Sequence, residues 1–198
     1  MKSIIILLSA CATVLFSLTL AVAAPVPEDE RTAIDLRRTT ITVRNVDVSL
    51  ALYRDVLGMK VIYDRPVRTP STATSDEEAD IARRLVFLRA NDDFIGILGL
   101  LEYVKPEREP APLDEDPRLR PGEVVLLFNT KNLAEKFDQV KSTPGVRVIS
   151  EPTRVDYPSY DGTGKIPVLV STFWDPDGIF VELNELLINP EDLSTGVE

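Results

Sequence analysis

Histidine is absent from the 198 residues. That removes imidazole acid–base catalysis and every imidazole metal site. Cysteine occurs once, at Cys11. A mature chain that begins after that position has no disulfide, no thiol nucleophile and no thiolate ligand, so its core alone must stabilise it. Basic residues are also short: 22 Lys and Arg face 32 Asp and Glu, a net charge of −10. This balance disfavours nucleic acid and anionic membrane surfaces as partners. What remains is ordinary for a globular chain, with 44% apolar and 27% charged residues.

A long charge-free apolar run occurs at the start, from Ser3 to Ala24 behind Lys2. Ala21-Val22-Ala23 has the small-x-small form of a cleavage site, so residues 1–23 read as a secretory signal peptide. The run is also long enough to span a bilayer, which leaves an uncleaved anchor open. Leu8-Ser9-Ala10-Cys11 has the look of a lipoprotein box, although the apolar run continues past it. The expectation is an exported protein, periplasmic or extracellular, that meets a membrane only if the leader stays attached.

Residues 24–35 read as a charged linker. Arg38 to Val43 alternates and predicts a strand. Asn45 or Asp47 can cap a helix whose apolar stripe is Val46, Leu50, Tyr53 and Leu57, with Gly58 at its C-terminal stop. Met59 to Tyr63 is a short strand, and Pro66 to Ala82 a polar loop. Arg84 to Arg89 and Phe94 to Tyr103 are strands around Asn91-Asp92-Asp93. Residues 104–121 are a proline-rich linker. The order then recurs: strand from Glu123 to Phe128, helix carrying Leu133, Phe137 and Val140, stop at Pro144-Gly145, short strand from Val146 to Ile149. A polar loop from Glu151 to Lys165 and strands at Pro167–Trp174 and Ile179–Asn184 complete it. Residues 188–198 are an acidic tail. Two copies of strand, helix and three strands imply an internal duplication, and neither copy alone buries enough surface to be stable.

The chain is organised around Trp174 to Asn184. Asp175-Pro176-Asp177-Gly178 is turn chemistry. After it, Ile179, Val181 and Leu183 alternate with Phe180, Glu182 and Asn184. Glu182 stands among large apolar residues, where a carboxylate needs a partner.

Val43-Arg44-Asn45-Val46-Asp47 through Leu57-Gly58-Met59 resembles the opening of vicinal oxygen chelate proteins, and Trp174 to Glu182 resembles their closing hairpin. That superfamily includes glyoxalase I, bleomycin-resistance proteins and extradiol dioxygenases. The resemblance covers roughly residues 36–187 and implies an α+β fold. Two βαβββ modules, at 36–103 and 122–187, would form a curved mixed sheet with a cleft. In metal-using members four cleft residues, usually two His and two Glu, hold a divalent ion. By spacing, their positions here are Arg38, Gly99, Glu123 and Glu182.

One guanidinium, one glycine and two acids make a poor metal site, so no metal and no other cofactor is expected. The alternative is a weakly held divalent ion on Glu123 and Glu182. The expectation is that Arg38 bridges Glu123 and Glu182 by charge-assisted hydrogen bonds. Thr40, Val125, Leu127 and Phe180 should face the cleft, with Ile95 and Ile97 nearby and Trp174 available for stacking. The candidate substrate-binding residues are therefore Arg38, Thr40, Glu123, Leu127, Trp174 and Phe180, and the candidate general base is Glu182. Three functions compete: an exported binder of a small, partly apolar molecule; a lyase, isomerase or dioxygenase-like enzyme using Glu182; or a structural module whose exposed sheet edges pair two copies. A homodimer is a further possible partner; nucleic acid is not expected.

Overall fold

The computed structural model describes residues 28–109, 116, 118–159 and 162–188; the expected signal peptide with Cys11, and residues 189–198 of the expected acidic tail, lie outside the described residues. Two four-stranded mixed sheets form the α+β fold. The first holds β1 (Arg38–Val43), β2 (Lys60–Thr69), β3 (Ile81–Arg89) and β4 (Ile97–Lys105) in the order β1-β4-β3-β2. The second holds β5 (Val125–Asn129), β6 (Arg147–Pro158), β7 (Lys165–Trp174) and β8 (Phe180–Leu186) in the order β5-β8-β7-β6. In each, the first strand runs parallel to the last and the other pairs are antiparallel. Among the described residues no helix is long and apolar enough to cross a membrane.

Helix α1 (Val46–Leu50) starts where Asn45 caps it, the Asn45 carboxamide oxygen accepting from the Asp47 and Val48 amides. It continues as a π-helical segment, Ala51–Val56. The wider turn brings both Leu52 and Tyr53 inside, each fully buried, whereas a plain α-helical stripe takes only Tyr53. Gly58 follows with φ +81° and ends the segment in the left-handed region. Helix α2 (Leu133–Lys141) buries Leu133, Phe137 and Val140, the expected stripe.

Each sheet packs one face beneath the helices, and these inner faces share a single core. Ile41, Val43, Val86, Leu88, Leu98 and Leu100 of the first module join Leu126, Phe173, Val181 and Leu183 of the second. Lys136 on α2 also donates to the Val56 carbonyl at 2.8 Å, tying the second helix to the end of the π-helical segment.

The duplication reaches below the level of elements. Register in β2 skips between Val61 and Tyr63, and in β6 between Val148 and Ser150. Following the ladders inward, Tyr63 pairs with Phe87 and Phe87 with Gly99, while Ser150 pairs with Thr172 and Thr172 with Glu182. Gly99 and Glu182 thus hold the same place. On the first strands Thr40 pairs with Gly99 and Leu127 with Glu182. The counterpart of Arg38 is therefore Val125, not Glu123. Glu123 precedes β5 in a turn, exposed, its carboxylate accepting from the Arg120 amide at 2.7 Å. Spacing alone misplaced it because β5 begins later than the alternation suggested.

Candidate functional site

The face of the first sheet that turns away from the helices is set by strand parity. Ile41 and Val43 point into the core, so Arg38, Thr40 and Thr42 point the other way. Beside them stand Ile97, Gly99 and Leu101 of β4, Leu85 and Phe87 of β3, and Tyr63 and Arg65 of β2. Arg38 donates from Nε to Thr40 Oγ1 at 3.0 Å, and its guanidinium lies 4.1 Å from the Phe87 ring centroid. Phe87 stacks in turn on Tyr63, with centroids 4.8 Å apart. Thr40 and Phe87 flank Gly99 on its two sides, so the Arg38 side chain crosses the space that Gly99 leaves. A Cβ at position 99 would stand 2.5 Å from Thr40 Oγ1.

The expected bridge from Arg38 to Glu123 and Glu182 is not formed. Arg38 is exposed and stays in its own module, held by Thr40 and Phe87. Glu182 is half-buried on β8 and accepts from Asn184 Nδ2 at 2.6 Å. The partner it needed is thus a neutral amide two residues along its own strand. The reason for the difference is reach: a long guanidinium stem finds an aromatic face across an empty glycine position, at no desolvation cost to two acids. The Asn184 carboxamide oxygen is buried with no hydrogen-bond partner among the described residues.

Trp174 and Phe180 sit side by side at the end of the second sheet, edge to face at 5.1 Å. Trp174 is only 8% exposed, so its ring is committed to that pair. A groove of about 230 Å³ runs between the modules, lined by Leu36, Arg38, Ile97, Val125, Leu127 and their neighbours. Of the sequence-derived site residues it gathers Arg38 and Leu127, with Val125 and Ile97. Thr40, Glu123, Trp174, Phe180 and Glu182 do not line it, nor does exposed Ile95. A second hollow, of about 160 Å³ near Gly58, Asn129 and Lys136, contains none of them. Among the described residues no group of three or more His, Cys, Asp or Glu side chains is placed to hold a metal ion.

The closing turn carries chemistry that its sequence reading reduced to turn formation. Asp175 is fully buried; its Oδ1 accepts from the Asp177 and Ile179 amides, and its Oδ2 from the Tyr53 hydroxyl at 2.8 Å. Burial raises the Asp175 carboxyl above its ordinary value, the hydrogen bonds opposing it, and burial beside Asp175 drives the Tyr53 phenol well up. Asp177 accepts from the Arg44 amide and Nε and from Ser49 Oγ. Arg44 also donates to the Pro176 carbonyl. The turn of the second module is thus clasped to the first helix of the first. The available signal was two acids in a turn facing a buried tyrosine on the helical stripe.

Residues 35–183 match the model of the Glyoxalase/Bleomycin resistance protein/Dioxygenase superfamily. No curated protein matches the chain. Among solved structures, a glyoxalase family protein from Bacillus cereus superposes with a TM-score of 0.61 at 12% identity, over 80% of this chain and 98% of its own. Leishmania major glyoxalase I, described as trypanothione-dependent, superposes with a TM-score of 0.51 at 20% identity, over 77% of this chain and 87% of its own. At these identities the likeness is one of fold.

Proposed function

For a chain that belongs to the Glyoxalase/Bleomycin resistance protein/Dioxygenase superfamily, we propose binding of a small, partly apolar anion. Its acidic group is taken by Arg38 and its apolar part by the groove. The observation that carries this reading is Arg38 itself. It is a fixed cation with no ion-pair partner among the described residues, exposed at the edge of a groove lined by Leu36, Ile97, Val125 and Leu127. A guanidinium offers a fork of donors that suits a carboxylate, and an apolar wall beside it suits an alkyl or aryl body.

The reading includes no resident metal. The four positions that correspond across the modules hold Arg38, Gly99, Val125 and Glu182, a donor set of one carboxylate beside a cation. Such a set does not fit a divalent ion. Glu123, the acid offered as a second ligand, is turned to the Arg120 amide. Export completes the proposal and rests on the apolar run from Ser3 to Ala24.

A catalytic reading has one observation in its favour. Asn184 fixes one oxygen of Glu182, and the other carries no hydrogen bond among the described residues. A lyase-type general base needs a carboxylate held in that way.

Calorimetric titration with decanoate tests the main reading. The unaltered protein is expected to bind it, Arg38→Gln to bind it at least about tenfold more weakly, and Glu182→Gln to bind it within about twofold. Equal affinity of the Arg38→Gln and unaltered proteins refutes Arg38 as the anchor. Loss of binding on Glu182→Gln moves the site to the second sheet.

A further inference from the structure

The open face of the first sheet has a charge distribution opposite to that of the chain. Its ionised side chains on β1 to β4 include Arg38, Lys60, Arg65, Arg83 and Arg89; Arg89 is paired with Asp93 at 2.6 Å, and no Asp or Glu of these strands shares the face. The acids of the same strands lie on the opposite face. Asp64 is bound there by Arg84, and Glu102 accepts from the Val46 amide. Among the described residues, exposed Arg65 donates only to the Asp64 carbonyl, and Arg83 donates to Thr69 Oγ1 and keeps a buried Nε with no partner. In a chain of net charge −10, three arginines on one face, Arg38, Arg65 and Arg83, with no carboxylate partner among the described residues are not the solvated mixture that a plain surface carries.

Their spacing is regular. Arg38 lies over Phe87, Arg65 stands in the row of Leu85, and Arg83 begins the next row. Two residues along a strand advance roughly 7 Å, so the Phe87 row, where the Arg38 guanidinium lies, is roughly 13 Å from the Arg83 row. Half-buried Leu85 and Leu101 fill the interval.

We propose that the ligand is a bis-acid: one acidic group on Arg38, a second on Arg65 and Arg83, and an apolar body across Leu85 and Leu101. This deepens the reading of Arg38 as an anion anchor and rests on it. Free energy from the second group comes from charge complementarity on a half-buried face, so it falls as salt rises.

Decanoate and decanedioate, compared by calorimetry at low ionic strength, separate the two claims. Decanedioate is expected to bind at least about tenfold tighter than decanoate. Arg65→Gln together with Arg83→Gln should bring the ratio near one while decanoate affinity stays within about twofold. Arg65→Lys should keep most of the preference. If the double variant is poorly folded by circular dichroism, Arg65→Gln alone, at an exposed position, must still reduce the ratio. Equal binding of the two acids by the unaltered protein overturns the bis-acid proposal and leaves the Arg38 anchor standing. Binding of neither overturns both.

Discussion

Replacing Asp175 with Ala is expected to lower the unfolding free energy by about 3–5 kcal/mol, measured by urea denaturation at neutral pH. Three donors lose their acceptor at once: the Tyr53 hydroxyl and the Asp177 and Ile179 amides. Tyr53 is fully buried, so no water replaces the lost partner without rearrangement. Each such orphan costs about 1–3 kcal/mol, and removing a desolvated carboxylate returns part of the sum. Asp175→Asn keeps one acceptor for Tyr53 and is expected to cost less. The two variants also separate the pH dependence. The folded-state pKa of Asp175 is raised above the ordinary 3.8 by burial. Its protonated form is therefore favoured in the folded chain. Stability from this group is fully present below the unfolded value and is lost as pH rises through the folded one. The advantage of the unaltered protein over Asp175→Asn should shrink as pH is raised from 3.8 through the raised value. A difference that grows over that range would mean the carboxylate is stabilised as an anion.

The duplication was legible because it is written in periodicity. Helical stripes, glycine stops and alternating buried strands all recur, and they survive in the structure. What alternation could not reveal were the long arms of β2 and β6. Both are edge strands, exposed over most of their length. An exposed strand shows no inside–outside pattern, so the stretches from Pro66 and from Glu151 read as polar loops. Pro66 itself is tolerated because β2 has a free edge. At the site, Arg38 and Leu127 were identifiable as side chains of one groove, and Glu182 as an acid that needed a partner. The identity of that partner was not. Asn184 lies two residues along the strand, and alternation places it on the face of Glu182 without assigning it a role. A cation–π contact across a vacant glycine leaves no mark in spacing. The arginines at 65 and 83 were hidden for the same reason as β2: parity is unreadable until the strand's ends are known.

The role of Gly99 leads to the second large effect. Gly99→Ala is expected to cost about 1–3 kcal/mol, although the residue has no unusual φ and its change adds one methyl. The added carbon would meet Thr40 Oγ1 at 2.5 Å and the Thr40 Cβ and Cγ2 at 3.1 Å. Rotation of Thr40 offers little relief, since both of its outer atoms are close and Oγ1 is held by Arg38. Truncating Thr40 to Ala removes both of those atoms. The double variant Thr40→Ala, Gly99→Ala should therefore be more stable than the two single changes predict, by at least about 1 kcal/mol in a double-mutant cycle. Gly99→Glu pushes further: it forces the Arg38 side chain off Phe87, so decanoate binding should weaken together with stability. An acid at position 99 therefore does not rebuild a two-carboxylate site with Glu182, because the space it needs is already occupied by a guanidinium from the neighbouring strand. Unchanged stability in Gly99→Ala, with strictly additive behaviour in the cycle, would show that the Thr40–Gly99 contact is loose. Arg38 would then be free to leave the open face.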